Sequence, residues 1–407
     1  MTISDAQVRL SESDFYFGDP FPIYRELREV APVFWHEGIG SWVLTRYEDI
    51  EEVSKNADIF SVGSGLLLTD LLKNQDYLAA MFPDGVEPIS LADPPRHTDL
   101  RRALNWAFSR PRILSFEPRI RELVRYRLST IAEEGEVDVV SELSVPVTAS
   151  VVKAFIDCDE ITVEQVLDWS DDVFSMGSDL PLEELQSIFA RLKPMVDFFV
   201  GKAEHRRAHP KDDLIGHLVN YELDGAKLSL LMVETYLQTV MVAGNETTRN
   251  AFTASIRLFC DFPEQYQRLC EQPELINSAV EEILRYHSPT LGFARTARQD
   301  TVISGVKIAK GEHVYMLYGA ANRDPEVFDD PENFDIARFA QTTKSHLAFG
   351  RGPHICIGMA LARLELRILL EELIASFEGF ELVGEPGRPD TLLGNAYTTL
   401  NAKFIAG

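Results

Sequence analysis

Phe349-Gly350-Arg351-Gly352-Pro353-His354-Ile355-Cys356-Ile357-Gly358 is a glycine-rich loop carrying one cysteine. Met359, Leu361, Leu364, Leu366, Ile368, Leu369 and Leu373 follow at helical spacing, which predicts a helix opening beside Cys356. Glycines let a backbone turn tightly around a sulfur, so that amide N–H groups point at it. The positive end of a helix dipole and a flanking arginine favour thiolate over thiol. Read alone, the loop fits a metal-holding thiolate, a buried structural cysteine before a helix, or half of a zinc site.

Working outward, the apolar segment Tyr236 to Thr248 contains Ala243-Gly244-Asn245-Glu246-Thr247-Thr248. A glycine inside a helix costs roughly 1 kcal/mol relative to alanine. Ala243 and Thr247 lie one helical turn apart, as do Gly244 and Thr248. Small residues there leave room for a ligand, and Glu246 with Thr247 can accept and relay protons. A tight helix crossing with Glu246 exposed explains the same letters. In Glu282-Ile283-Leu284-Arg285 an acid and an arginine share a helix face; such pairs are common and weak on surfaces. His97 and Arg101 stand one turn apart on another face, where His97 alone reads as a surface histidine.

The chain has 407 residues and a formal net charge of −25, which makes nucleic acid an unfavourable partner. The four cysteines, Cys158, Cys260, Cys270 and Cys356, form no CxxC pair, against a disulfide framework or a tetrahedral zinc site. No run reaches the ~18 apolar residues of a membrane span. Residues 1 to 7 carry neither a basic nor an apolar signal region, so a soluble cytoplasmic protein without a membrane anchor is expected. Against the acidic whole, nine arginines fall between Arg96 and Arg127. They fit a solvated helix face or a docking patch for an acidic protein.

No repeat or linker breaks the chain. Trp42 to Thr45 predicts a strand and Tyr47 to Ser54 a helix, with helical patterns dominant from about 96 to 285. Thr301 to Ile308 predicts a hairpin and Glu312 to Leu317 a strand. A terminal β-like segment follows the last long helix. The expected fold is mainly α with small β-sheets, one domain over 1–407, with 1–15 a flexible N-terminal segment.

The spacing Phe-x-x-Gly-x-x-x-Cys-x-Gly resembles the haem-binding loop of the cytochrome P450 family, and Ala243 to Thr248 resembles the oxygen-binding groove of its distal helix. Glu282-x-x-Arg285 with a later Arg338 and His97-x-x-x-Arg101 with Arg295 are similar to further family motifs, all in family order. The resemblance covers roughly residue 15 to the end, and Glu246 replaces the commoner aspartate. It implies a cytochrome P450-like single-domain fold and haem b (iron protoporphyrin IX), with Cys356 as the iron ligand. Ala243, Gly244, Phe349 and Gly358 would line the cofactor. His97, Arg101, Arg295 and His354 would meet its propionates, and Glu282, Arg285 and Arg338 would form a structural ion network.

The activity implied is hydroxylation of a lipophilic substrate by a monooxygenase, with Glu246 and Thr247 as catalytic proton relay. It uses O2 and two electrons from a ferredoxin/reductase system, because no flavin or dinucleotide fingerprint is visible. The arginine-rich 96–127 region and the cysteine-loop face are the expected docking face for an acidic ferredoxin. By family analogy the substrate pocket is lined by Leu67, Phe82, Met176, Leu237, Val240, Leu291, Phe293 and Tyr397. Leu66, Leu68, Met81, Thr290 and Thr398 are placed beside them. The Ala-Gly-Asn-Glu-Thr-Thr-Arg-Asn form (residues 243–250) points to steroids or terpenoids. A peroxide-driven peroxygenase and a non-enzymatic haem-thiolate sensor or carrier are the rival readings; the acid–hydroxyl pair disfavours each.

Overall fold

Helix Leu230–Asp261 crosses the protein and organises the rest. Ser229 starts it by accepting a hydrogen bond from the Met232 amide (3.1 Å), which satisfies one of the amides a helix start leaves unpaired. Its residues are buried on nearly every side, so its apolar length is a core feature. The structure, a computed structural model, describes residues 8–71, 82, 85–175 and 182–406.

Helices Glu117–Glu134, Val145–Phe155, Val163–Ser175, Ile276–His287 and Met359–Ser376 join this one in the main hydrophobic core. Each large apolar side chain buried there contributes about 1.5–3 kcal/mol relative to exposure. Helix Met359–Ser376 packs against Glu117–Glu134 on one flank and the crossing helix on another. That places the cysteine loop, immediately before Met359, beside the middle of the molecule.

To one side lies a five-stranded sheet in the order Val33–His36, Ser41–Leu44, His313–Leu317, Gly292–Ala297, Phe60–Ser61. Strand His313–Leu317 runs parallel to Ser41–Leu44 and antiparallel to Gly292–Ala297. The expected strand at 42–45 and helix at 47–54 correspond to Ser41–Leu44 and Tyr47–Lys55. The hairpin forms between Thr301–Ile303 and Val306–Ile308, turning at Ser304 and Gly305 with φ of 45° and 81°. Positive φ at both central residues is the two-residue turn that matches strand twist. A second sheet joins Phe377–Leu382, Asn401–Ala406 and Glu136–Asp138.

The expected flexibility of residues 1–15 does not extend to residue 8. Val8 and Leu10 are fully buried and Ser13–Phe17 is helical, packed with Tyr24 and Leu27. Residues 1–7 lie outside the described residues. No described helix is long and apolar enough to cross a membrane.

Glu282 and Arg285, expected as a weak pair if exposed, are wholly buried and joined by two 2.7 Å hydrogen bonds. Arg338 Nε reaches the same carboxylate at 3.1 Å. Arg285 also donates to the carbonyls of Asn322, Pro331 and Asn333, tying the helix to the coil ahead of the cysteine loop.

Candidate active site

A cavity of about 320 Å³ opens between the cysteine loop and the middle of helix Leu230–Asp261. Cys356 forms part of its floor, with Phe349, Gly358 and Leu361. The opposite wall presents Val240, Ala243, Gly244, Thr247 and Thr248. Residues nearly 110 positions apart in sequence thus face one space.

The loop geometry explains its glycines. Gly350 and Gly352 both adopt φ of 68°, in the left-handed region. A side chain at Gly352 would also collide with the Ser54 carbonyl, 2.0 Å from where its Cβ would stand. Gly358 needs no such allowance, with φ of −80° and the Cys356 sulfur 3.8 Å from a would-be Cβ. The Cys356 amide bonds to the Phe349 carbonyl (2.9 Å), closing the loop on itself. The sulfur is accessible although it lies deep in the protein, because the surface it exposes belongs to the cavity wall. Burial pushes its thiol up, opposed by the amides of Gly358 and Met359 and by Arg101 and Arg363. Those four groups are the ones that would stabilise a bound thiolate.

Basic groups gather along one edge. His97, Arg101, Arg295 and His354 all line the cavity. The rings of His97 and His354 lie 4.0 Å apart, and His97 Nδ1 and His354 Nε2 have no hydrogen-bond partner among the described residues. Burial, then the nearby Arg101, lowers His97 to about 4; burial, then His97, lowers His354 to about 3. The Arg295 guanidinium is buried, donates to the Ala294 carbonyl (2.7 Å), and makes no ion pair among the described residues; the same holds for the ion pairing of Arg101. Buried cations without anions are costly, so this edge calls for bound negative charge. Haem b, implied by the resemblance, brings two carboxylates and an iron that takes a thiolate ligand. The residues present fit both demands.

On the opposite wall helix Leu230–Asp261 stays continuous. The Thr247 hydroxyl donates back to the Ala243 carbonyl (3.0 Å). Gly244 is a close-approach position, where a Cβ would stand 3.1 Å from Val152 Cγ2. Glu246 is largely covered rather than exposed, with Arg249 at 3.5 Å. Burial raises its carboxyl, and Arg249 opposes the rise.

Of the expected substrate-pocket residues, Val240 and Phe293 are in the cavity wall, with Leu66 and Thr290. Leu237 points into the helical core, and Leu291 packs in the cluster with Tyr24 and Leu27. Tyr397 stacks on His287 beneath Arg388. Leu67 donates its amide to Asp70, and Phe82 and Thr398 are not in the wall either; Leu68 is buried beside Leu291. Met81 and Met176 lie outside the described residues. The sequence reading missed Leu104, which follows His97 and Arg101 along helix Arg96–Asn105, and Phe108 in the turn after that helix; both line the cavity. It also missed Glu365, a buried acid in the wall whose Oε2 has no partner among the described residues.

The arginines of 96–127 do not form one free positive face. Arg96 pairs with Glu87 and Asp224, Arg119 with Asp159, and Arg121 with Glu117, Glu371 and Glu372. Arg101 turns inward to the cavity. Arg102 is exposed beside Asp99, and Arg110 is exposed with no ion pair among the described residues.

Residues 34–403 match the model of the cytochrome P450 family. The chain is 33% identical over 400 residues to linalool 8-monooxygenase of Pseudomonas putida, covering 95% of this chain and 96% of that enzyme. It is 30% identical to steroid C26-monooxygenase of Rhodococcus jostii, over 91% of this chain and 78% of that enzyme. The crystal structure of CYP109E1 from Bacillus megaterium in complex with testosterone superimposes with a TM-score of 0.81 at 30% identity, covering 95% of this chain and 99% of that one. The chain belongs to the cytochrome P450 family of haem b monooxygenases.

Proposed function

We propose that this enzyme hydroxylates a lipophilic small molecule of steroid or terpenoid type, with the Cys356 thiolate as the group that would hold the haem iron and Glu246 with Thr247 as the proton relay. The observation that carries the reading is the convergence of Cys356 and of Ala243 and Thr247 on one largely apolar cavity. His97, Arg101, Arg295 and His354 would hold the propionates by charge-assisted hydrogen bonds. Haem b, when bound, would supply dioxygen activation, and the Cys356 thiolate would donate electron density to its iron.

The chain's own residues do the rest. Val240, Phe293, Leu66 and Thr290 give a mainly apolar wall that orients a lipophilic substrate and excludes bulk water. One atom of O2 enters the substrate and the other leaves as water, which consumes two electrons and two protons. Glu246 passes protons inward, and the Thr247 hydroxyl, held by the Ala243 carbonyl, offers the next acceptor and donor. The electrons come from a ferredoxin that approaches the side carrying Arg102, Arg110 and the cysteine loop.

The relatives that act on linalool and on a steroid support an apolar substrate class. Titrating the ferric protein with linalool, testosterone, a branched fatty acid and a small aromatic tests it. A saturable spectral shift is expected with a terpenoid or steroid, and a response to the aromatic alone would refute the class. The axial ligand is tested by carbon monoxide: the reduced protein should give the red-shifted band of thiolate ligation. A Cys356→Ala protein that kept the band would overturn the assignment.

A further inference from the structure

Glu246 is part of a charge sequence that leaves its own helix. Arg249, one turn along, holds Nη2 3.5 Å from Glu246 Oε1, with both side chains largely covered. Arg249 Nε is buried and has no hydrogen-bond partner among the described residues. Helix Val163–Ser175 packs against helix Leu230–Asp261 and carries Asp171, an exposed acid that makes no ion pair with Arg249 among the described residues but whose negative charge opposes ionisation of Glu246. The neighbouring Asp172 is committed elsewhere: Arg191, on helix Leu182–Ala208, donates to it at 2.6, 2.9 and 3.1 Å. Among the described residues, the charged groups acting on Glu246 are Arg249 from its own helix and Asp171 from the packed one, with Asp168 and Asp172 acting on Asp171.

The 3.5 Å separation is loose beside the 2.7 Å of the Glu282–Arg285 pair. A relay acid must both hold a proton and release it. Full closure of Arg249 on Glu246 would fix the carboxylate, while burial without Arg249 would fix the neutral acid. An arginine held at this distance, with a second acid on the packed helix, avoids both extremes.

We propose that Arg249 and Asp171 are positioning residues that together govern how readily Glu246 gains and gives a proton, Arg249 by holding its carboxylate and Asp171 by placing a second negative charge on the packed helix. The proposal rests on the relay reading of Glu246. Each proton Glu246 passes inward is replaced from water, so the carboxyl returns to its starting state.

The test is a pH titration of the ferric holoenzyme by infrared difference spectroscopy, following the protonated carboxyl band that disappears in Glu246→Gln. Arg249→Gln should move the midpoint up, because the carboxylate loses its cation. Asp171→Asn should move it down, because a repelling charge is gone. Arg249→Lys should lie near the parent, and Asp172→Asn should move the midpoint less than Asp171→Asn. Opposite shifts from Arg249→Gln and Asp171→Asn support the proposal; shifts in one direction, or none, overturn it. The relay reading fails by a different measurement: hydrogen peroxide release per electron consumed would be unchanged in Glu246→Gln.

Discussion

The Arg285 guanidinium lies against the Glu282 carboxylate through two 2.7 Å hydrogen bonds, one helical turn apart and with no solvent exposure. Three backbone carbonyls and Arg338 complete the shell. A buried pair satisfied in this way is tolerated, but removing one member strands the other.

Glu282→Ala should therefore destabilise the protein by about 3–5 kcal/mol, the cost of leaving a buried charge uncompensated. Urea unfolding of the holoenzyme reads it directly. A loss below about 1 kcal/mol, the range of surface pairs, would contradict the burial described for this pair.

The edge formed by His97, Arg101, Arg295 and His354 gives a second expectation. Hydrogen bonds to charged groups contribute roughly 1.5–3 kcal/mol each, or about tenfold to a hundredfold in affinity. Arg101→Leu and Arg295→Leu should each accelerate loss of haem to an acceptor globin by a factor in that range. Parent-like retention in both variants would remove the propionate role.

How far the chain's letters reach depends on whether a motif's partners are near in sequence. His97 with Arg101 and Ala243 with Thr247 are local helical spacings, and each pair projects as a helix must. The glycines at 350 and 352 announce a positive-φ loop, although only the structure shows the Ser54 carbonyl that forbids a side chain at 352. Long-range pairing was not legible. Arg121 and Arg125 read as free positive charge, yet their partner Glu372 lies some 250 residues away. Family analogy places Leu237, Leu291 and Tyr397 in the pocket, but helix phase turns Leu237 toward the core, Leu291 belongs to the cluster that holds Tyr24, and Tyr397 stacks on His287.

That neutralisation narrows the docking expectation. Arg110 is exposed with no ion pair among the described residues, and Arg102 is exposed with Asp99 at 2.6 Å. Reversing either to glutamate should slow ferredoxin-supported haem reduction at low salt, and the difference should shrink above about 0.5 M salt as screening removes steering. Stopped-flow reduction under carbon monoxide measures it. Equal rates for parent and both variants at low salt would place the docking face elsewhere.

Glu365 yields a stability prediction with a definite sign. It is buried on helix Met359–Ser376 in the cavity wall, its Oε2 has no partner among the described residues, and burial holds its carboxyl well above the usual range. The folded state therefore keeps the proton at pH values where the unfolded chain has already released it. Because the unfolded state binds fewer protons there, stability falls as pH rises through and beyond the ordinary carboxylate pKa. Glu365→Gln preserves shape and hydrogen-bonding capacity but cannot ionise. Its unfolding free energy should match the parent near pH 4, where both states of the parent carry the proton, and exceed it at pH 8. Urea unfolding at the two pH values separates this from packing effects, because a packing change would shift both by the same amount. A parent–variant difference independent of pH would mean that the Glu365 carboxyl binds its proton equally in the folded and unfolded states, so that burial does not hold it neutral.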